Sequence, residues 1–286
     1  GMVTEGKKVV SVFPDDLRVK PKSKFLLSDA YASEKHEWKK ADAESRTKKN
    51  IEKLEDLQFH LYADGSKSLL VVVQGIDGAG KDGVVRKVFS AFNPQGTVVS
   101  SFKAPNSTEL SHDYLWRVHA ACPPKGSISV FNRSHYEDLI VPTIRGTLKP
   151  SELRVREKEI INFEKMLANQ GTTIVKFLLH ISRDEQWERM MSRLDDPTRN
   201  WKFSMGDLEE RKKWDLYQKT FQEIVTATST DFAPWYVIPS DSKWFRDFSI
   251  SEVMLNTLEG MKLQWPKPSH DVNEAREILR KCTNRF

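Results

Sequence analysis

Residues 68–92, SLLVVVQGIDGAGKDGVVRKVFSAF, run from an apolar, β-branched stretch through a glycine-rich turn into a helix-spaced pattern that opens on a lysine. This order commits the chain to a strand, a loop of phosphate size and a helix. In the Gly75-x4-Gly80-Lys81 spacing, backbone N–H groups from Gly75, Gly78, Ala79, Gly80, Lys81, Asp82 and Gly83 can ring an anion while the lysine ammonium supplies charge. The helix that follows turns its N-terminus toward the same anion. Leu69 to Val73 read as a buried parallel strand, and Val84, Val85, Val88 and Phe89 share one helical face. An ordinary strand–turn–helix crossover without a ligand is the alternative.

Two acids lie in this loop. Asp82 follows Lys81 where an ATP-binding loop of this kind normally places Ser or Thr on Mg²⁺, and Asp77 sits between the glycines. A carboxylate repels phosphate unless a metal or a base intervenes. The loop therefore points to a kinase that holds Mg²⁺ differently from ordinary NTPases.

Further strands are expected at Thr97 to Phe102, Ser127 to Phe131, Thr172 to His180 and Pro234 to Pro239. Helices are expected from Glu34 to Leu61, through Leu115, Trp116 and Val118, from a Ser151 cap through Leu167, from Asp207 to Thr228, and from Ser242 to about Met261. Strands alternating with helices define an α/β fold, a mostly parallel sheet with helices on both faces. At 286 residues one domain suffices. Residues 1–33 read as an extended arm over the core, in which Lys20, Lys22 and Lys24 either reach a ligand or are merely solvated. Residues 34–265 form the domain and 266–286 a tail with an amphipathic piece, Val272 to Arg280.

Residues 183–215 are densely charged and broken by Pro197 and Gly206. They read either as a lid, with Arg189, Arg193, Arg199 and Lys202 neutralising a transferring phosphoryl group, or as a solvated hairpin. The third strand ends at Asn132-Arg133, where open α/β sheets bind ligands. Asn132 stands where a Walker-B aspartate is expected, and Arg133 can fork onto phosphate oxygens. Lys103 follows the second strand. Asn106 either caps a helix with Glu109 or touches a nucleotide, and His180 reads as a satisfied strand-end residue.

The net charge of +5 suits a polyanionic ligand. Cys122 and Cys282 show no pairing pattern and no Cys/His cluster, so a reducing compartment without structural zinc is expected. No apolar run reaches membrane length and no signal peptide opens the chain, so the protein is expected in the cytoplasm. Gly1 before Met2 reads as a tag remnant.

From about Lys24 to about Leu258 the chain resembles the family-2 polyphosphate kinases, and among them the subgroup that phosphorylates AMP and ADP. The resemblance rests on QGIDGAGKDG, FNPQGTVVSSFKAP, HDYLWR, FNRSHYED, DDPTRNWKFSMGDLEERKKWDLY and TDFAPWYVIPSDSKWFRD, in that order. It implies a P-loop kinase core similar to thymidylate kinase, with a helical lid. By position it implies Asp77, Lys81, Arg133, Arg193 and Asp207 as catalytic residues and Asp77 as a metal ligand for Mg²⁺, with Mn²⁺ as a substitute. Lys103, Asn106, Asn132 and Glu137 become candidate nucleotide contacts. Asn132 departs from members with Asp there and marks the subgroup. The implied reaction moves a terminal phosphoryl group reversibly from inorganic polyphosphate to AMP or ADP, giving ADP or ATP. No nucleic acid or membrane partner is expected, and a homo-oligomer is. An ATP-dependent nucleoside monophosphate kinase and a nucleotide-binding module without turnover are the competing readings.

Overall fold

Residues 2–5, 8–11 and 13–282 are described by the computed structural model, which leaves Gly1 outside. A short antiparallel ribbon, β1 (Met2–Glu5) with β2 (Lys8–Ser11), opens the chain. Next come β3 (Arg18–Val19), α1 (Asp29–Ala32), α2 (Lys40–Asp64), β4 (Ser68–Gly75) and α3 (Lys81–Lys87). They are followed by β5 (Thr97–Ser100), α4 (Ser107–Leu110), α5 (Trp116–Ala121), β6 (Ile128–Asn132), α6 (Glu137–Arg145), α7 (Pro150–Asn169) and β7 (Thr172–His180). The last third holds α8 (Arg183–Asp195), α9 (Met205–Lys212), α10 (Trp214–Thr228), β8 (Trp235–Pro239), α11 (Lys243–Glu259) and α12 (Val272–Arg280).

The main sheet has the order β3-β8-β7-β4-β6-β5, parallel except where β3 meets β8. The strands after β4 lie first on one side of it (β5, β6) and then on the other (β7, β8). That reversal makes the carboxyl end of β4 the crevice where open sheets take ligands. Leu69 to Val73 are fully buried, as a strand covered on both faces requires. Right-handed crossovers send α3 to one face and α6, α7 and α10 to the other. Consistently, α3 packs with α11, which carries α2 on its outside, while α6, α7 and α10 pack together.

The arm is more deeply engaged than its composition suggests. Leu17 and Val19 are buried, β3 extends the sheet, and the Tyr31 hydroxyl donates to the Val237 carbonyl at 2.7 Å. α2 starts at Lys40 rather than Glu34 because His36 and Glu37 hold positive φ. Pro150 supplies the first turn of α7, so Lys149 is its cap and Ser151 lies inside. The stretch expected as one helix through Val118 is two short ones, and the 207–228 helix breaks at Lys213. α12 buries none of its residues, and ahead of it Trp265 stacks on His60 at 3.9 Å.

Candidate active site

Between β4 and α3 the loop wraps tightly because its glycines leave no room for a side chain. A Cβ at Gly75 would lie 2.9 Å from the Ala79 Cβ and 3.0 Å from the Leu179 carbonyl oxygen. At Gly80, φ is +99° and a Cβ would fall 2.0 Å from the Arg246 guanidinium. Two loop amides are spent inside the protein: Asp77 N–H donates to Glu210 Oε1 at 2.8 Å and Ala79 N–H to the Ile76 carbonyl at 3.0 Å. Those of Gly78, Gly80, Lys81, Asp82 and Gly83 have no acceptor among the described residues. Gly75 and the buried Ala79, both expected at the phosphate, therefore act through packing and turn geometry.

Lys81 Nζ donates to the Gly75 carbonyl at 2.6 Å. Burial and then the Arg133 charge lower its pKa, against the pull of Glu137, Glu210 and Asp77. Asn132 Nδ2 donates to Asp82 Oδ1 at 2.7 Å, so the acid in the Ser/Thr position is held by the amide in the Walker-B position. Arg133 adopts φ +68°, with its N–H on the Val73 carbonyl and its own carbonyl accepting from Phe102 N–H. Glu137 accepts from Gln74 Nε2 at 3.2 Å, behind the loop. Asn106 forms a capping box with Glu109 on α4, and both its cap bonds are spent there.

α8 and α9 cover the loop. Arg193 Nη1 lies 3.6 Å from Asp77 Oδ2 and 3.7 Å from Asp207 Oδ2, bridging two acids from different segments. Ser204 caps α9 and Asp207 is its capping-box partner, accepting from Ser204 N–H at 3.1 Å. Asp207 thus lies inside the first turn of α9 rather than at the start of the helix, where the expected 207–228 span put it. Arg189 is a clamp rather than a free cation: it donates to the carbonyls of Gly78 and Ser240 at 2.7 Å each and to Glu185 at 2.9 Å. Gln186 Nε2 adds a bond to the Asp77 carbonyl at 2.7 Å. His180 is structural, with Nε2–H donated to the Ser28 carbonyl at 2.6 Å and its pKa lowered by burial.

The resulting cleft, of about 1270 Å³, is lined by Asp77, Gly78, Gly80, Lys81, Asp82, Gly83, Lys103, Asn132, Arg133, Arg193, Arg199 and Lys202. Arg86, Lys87, Arg189, Lys243 and Arg246 join them on the basic side and Glu185, Glu188 and Asp247 on the acidic side, so basic residues outnumber acidic ones about two to one. Gly75, Ala79, Asn106, Glu137 and Asp207 stand outside this lining. Sequence reasoning missed Arg246, Lys243 and Glu210. A Lys and an Arg three apart in the first turn of an otherwise buried helix were a usable signal for the first two. Glu210 shares a helical face with Asp207 at i, i+3. Burial, with the Asp77 charge, raises the Glu210 pKa against the pull of the Asp77 amide.

A glycine loop at the switch point of a parallel sheet, a lysine and arginines converging on it and a helical cover define a P-loop phosphotransferase. The chain belongs to the Polyphosphate kinase 2 (PPK2) family, whose profile matches residues 37–266. It is 45% identical to an AMP/ADP-polyphosphate phosphotransferase of Meiothermus ruber over 88% of this chain and 95% of that one. It is 42% identical to an ADP-polyphosphate phosphotransferase of Rhodopseudomonas palustris over 76% and 79%. The crystal structure of polyphosphate kinase 2 from Arthrobacter aurescens superposes with a TM-score of 0.89 at 39% identity, covering 94% of this chain and 96% of that one.

Proposed function

We propose that the protein moves the terminal phosphoryl group of inorganic polyphosphate to AMP or ADP, reversibly. The observation that carries this reading is the cationic cleft around a loop whose Ser/Thr place is taken by an Asp82–Asn132 pair. A chain of phosphates offers negative charge along its length, and only an extended basic lining matches that. The names of the relatives supply the substrate class.

Phosphoryl transfer through a loose transition state asks for positioning and charge more than for covalent help. The free loop amides and Lys81 would hold the transferring group, with Arg133 and Arg193 spreading its charge. Arg199 and Lys202 would approach from the cover, whose closure would exclude water and so protect the donor from hydrolysis. Asp77, beside Arg193, would orient phosphate.

The residues fit a hard divalent cation. Asp77 Oδ2 is buried without a hydrogen-bond donor, and Asp82 keeps one oxygen free of Asn132. No cluster of three or more acids, histidines or cysteines occurs among the described residues, so Mg²⁺ (or Mn²⁺) would be held by Asp77 or Asp82 together with substrate oxygens. Such an ion would neutralise charge on the phosphates. No helix among the described residues is long and apolar enough to cross a membrane, and both cysteines are free. We place the reaction in the cytoplasm.

The deciding experiment supplies ADP with polyphosphate as the sole donor and measures ATP, then repeats it with AMP. Polyphosphate-dependent ATP formation is expected. Inertness toward polyphosphate together with phosphorylation of AMP from ATP would replace this reading by an ATP-dependent kinase.

A further inference from the structure

Arg133 holds a left-handed backbone, φ +68°. Such a conformation costs a non-glycine residue roughly 1–3 kcal/mol and persists only where its surroundings over-determine it. Besides its own bonds to the Val73 carbonyl and the Phe102 N–H, constraints lie on its C-terminal side, in the interior. Ser134, His135 and Tyr136 are all fully buried. Ser134 donates both its N–H and its hydroxyl to Gln74 Oε1, at 2.7 and 3.0 Å. His135 Nε2–H and the Tyr136 hydroxyl both donate to Glu164 Oε2, at 2.9 and 2.8 Å. The other carboxylate oxygen accepts from Lys176 Nζ at 2.8 Å. Lys176 spends its two remaining donors on the Tyr136 oxygen at 2.6 Å and the Thr228 carbonyl at 2.9 Å.

Glu164 and Lys176 are both fully buried, and they come from α7 and β7, behind the cleft rather than in it. Stability alone is a poor reason to keep such a pair, since well-packed apolar residues of similar volume are often as stable or more so. Apolar side chains cannot, however, fix the directions of an imidazole and a phenol. The pair does this for the two residues that begin two positions after Arg133.

We propose that Glu164 and Lys176 are positioning residues: through His135 and Tyr136 they lock the backbone that aims Arg133 into the cleft. Activity in its test is read with the polyphosphate reaction proposed above, and on that reading it rests. If the parent protein shows no such activity, the functional reading fails; the positioning claim is judged only against an active parent.

Tyr136→Phe removes a single oxygen and keeps the ring, so it is the variant most certain to fold. It is compared with Ile160→Val or Ile160→Ala on α7, the helix that carries Glu164, whichever matches its loss in melting temperature; Ile160 is fully buried. The expected result is a fall in kcat of at least about tenfold for Tyr136→Phe, with the nucleotide KM within about threefold and the Ile160 control within about twofold of the parent. In the cycle with Arg133→Lys, the double variant should lose little more than Arg133→Lys alone, because both act through one guanidinium. Near-parental kcat in Tyr136→Phe, an equal loss in the control, or losses that multiply in the cycle would each overturn the proposal.

Discussion

Lys81 gives its ammonium to the Gly75 carbonyl and its charge to the cleft, so its two contributions separate on truncation. Lys81→Ala should remove one net hydrogen bond, about 1 kcal/mol of stability, yet lower turnover by at least about a thousandfold. Thermal melts and polyphosphate-dependent activity check this, and a variant with most of its activity would take the loop out of the reaction. Asp207→Asn keeps an oxygen for the Ser204 N–H but no charge for Arg193. The melting temperature should stay nearly constant while turnover falls at least about tenfold, roughly 1.4 kcal/mol of barrier. Asp138 offers a pH test. Burial raises its pKa from the ordinary 3.8 to about 6. A raised carboxyl pKa means that the folded state binds the proton more tightly than the unfolded one. The stabilisation is therefore complete below about 3.8 and lost as pH rises through about 6. Asp138→Asn should melt at least as high as the parent at pH 7.5, with its advantage shrinking as pH falls from 6 to 4. An advantage that stays constant across that range would show that Asp138 does not titrate as its burial implies.

Gly80 and Arg246 belong to different elements but share one space. A methyl at Gly80 would meet both an unfavourable φ of +99° and the Arg246 guanidinium, which Asp247 holds through its Nε. Gly80→Ala and Arg246→Ala should each lower activity, and the pair together should lose clearly less than the product of the two, since either change already ejects the guanidinium from the loop. Independent, multiplying losses in steady-state assays would separate them. Four of the five parallel strands, β4, β6, β7 and β8, could be read from the sequence because burial leaves near-continuous apolar runs, whereas β5 at the sheet edge, with Val98 and Val99 exposed, showed only as a short β-branched run. The Lys213 break could not be read, as residues 207–228 contain neither Gly nor Pro and their periodicity runs on. There the need to deliver Glu210 to the Asp77 amide while seating α10 on α6 and α7 overrides local preference. Arg246 was signalled by its spacing from Lys243 in the first turn of α11, but its place against Gly80 depends on a loop that lies far from it in sequence.

At the scale of the molecule, a net charge of +5 understates the field a ligand meets, because the basic excess gathers in one cleft. Polyphosphate affinity should fall steeply with salt through counterion release, and AMP affinity should fall less. Titrations at several ionic strengths check this, and equal slopes would argue against a polyanionic donor. Composition disclosed the arm but not the strand by which it docks, since a two-residue strand has no periodicity to read and its partner β8 comes at the far end of the chain. The Ser229 hydroxyl donates to the Val19 carbonyl across 210 residues. During synthesis at roughly 5–20 residues per second, the arm would wait about 10–40 s for the segment it docks on. In that interval Leu17 and Val19 are apolar groups in search of a surface, so a segment made long before its partner is among the last to become native.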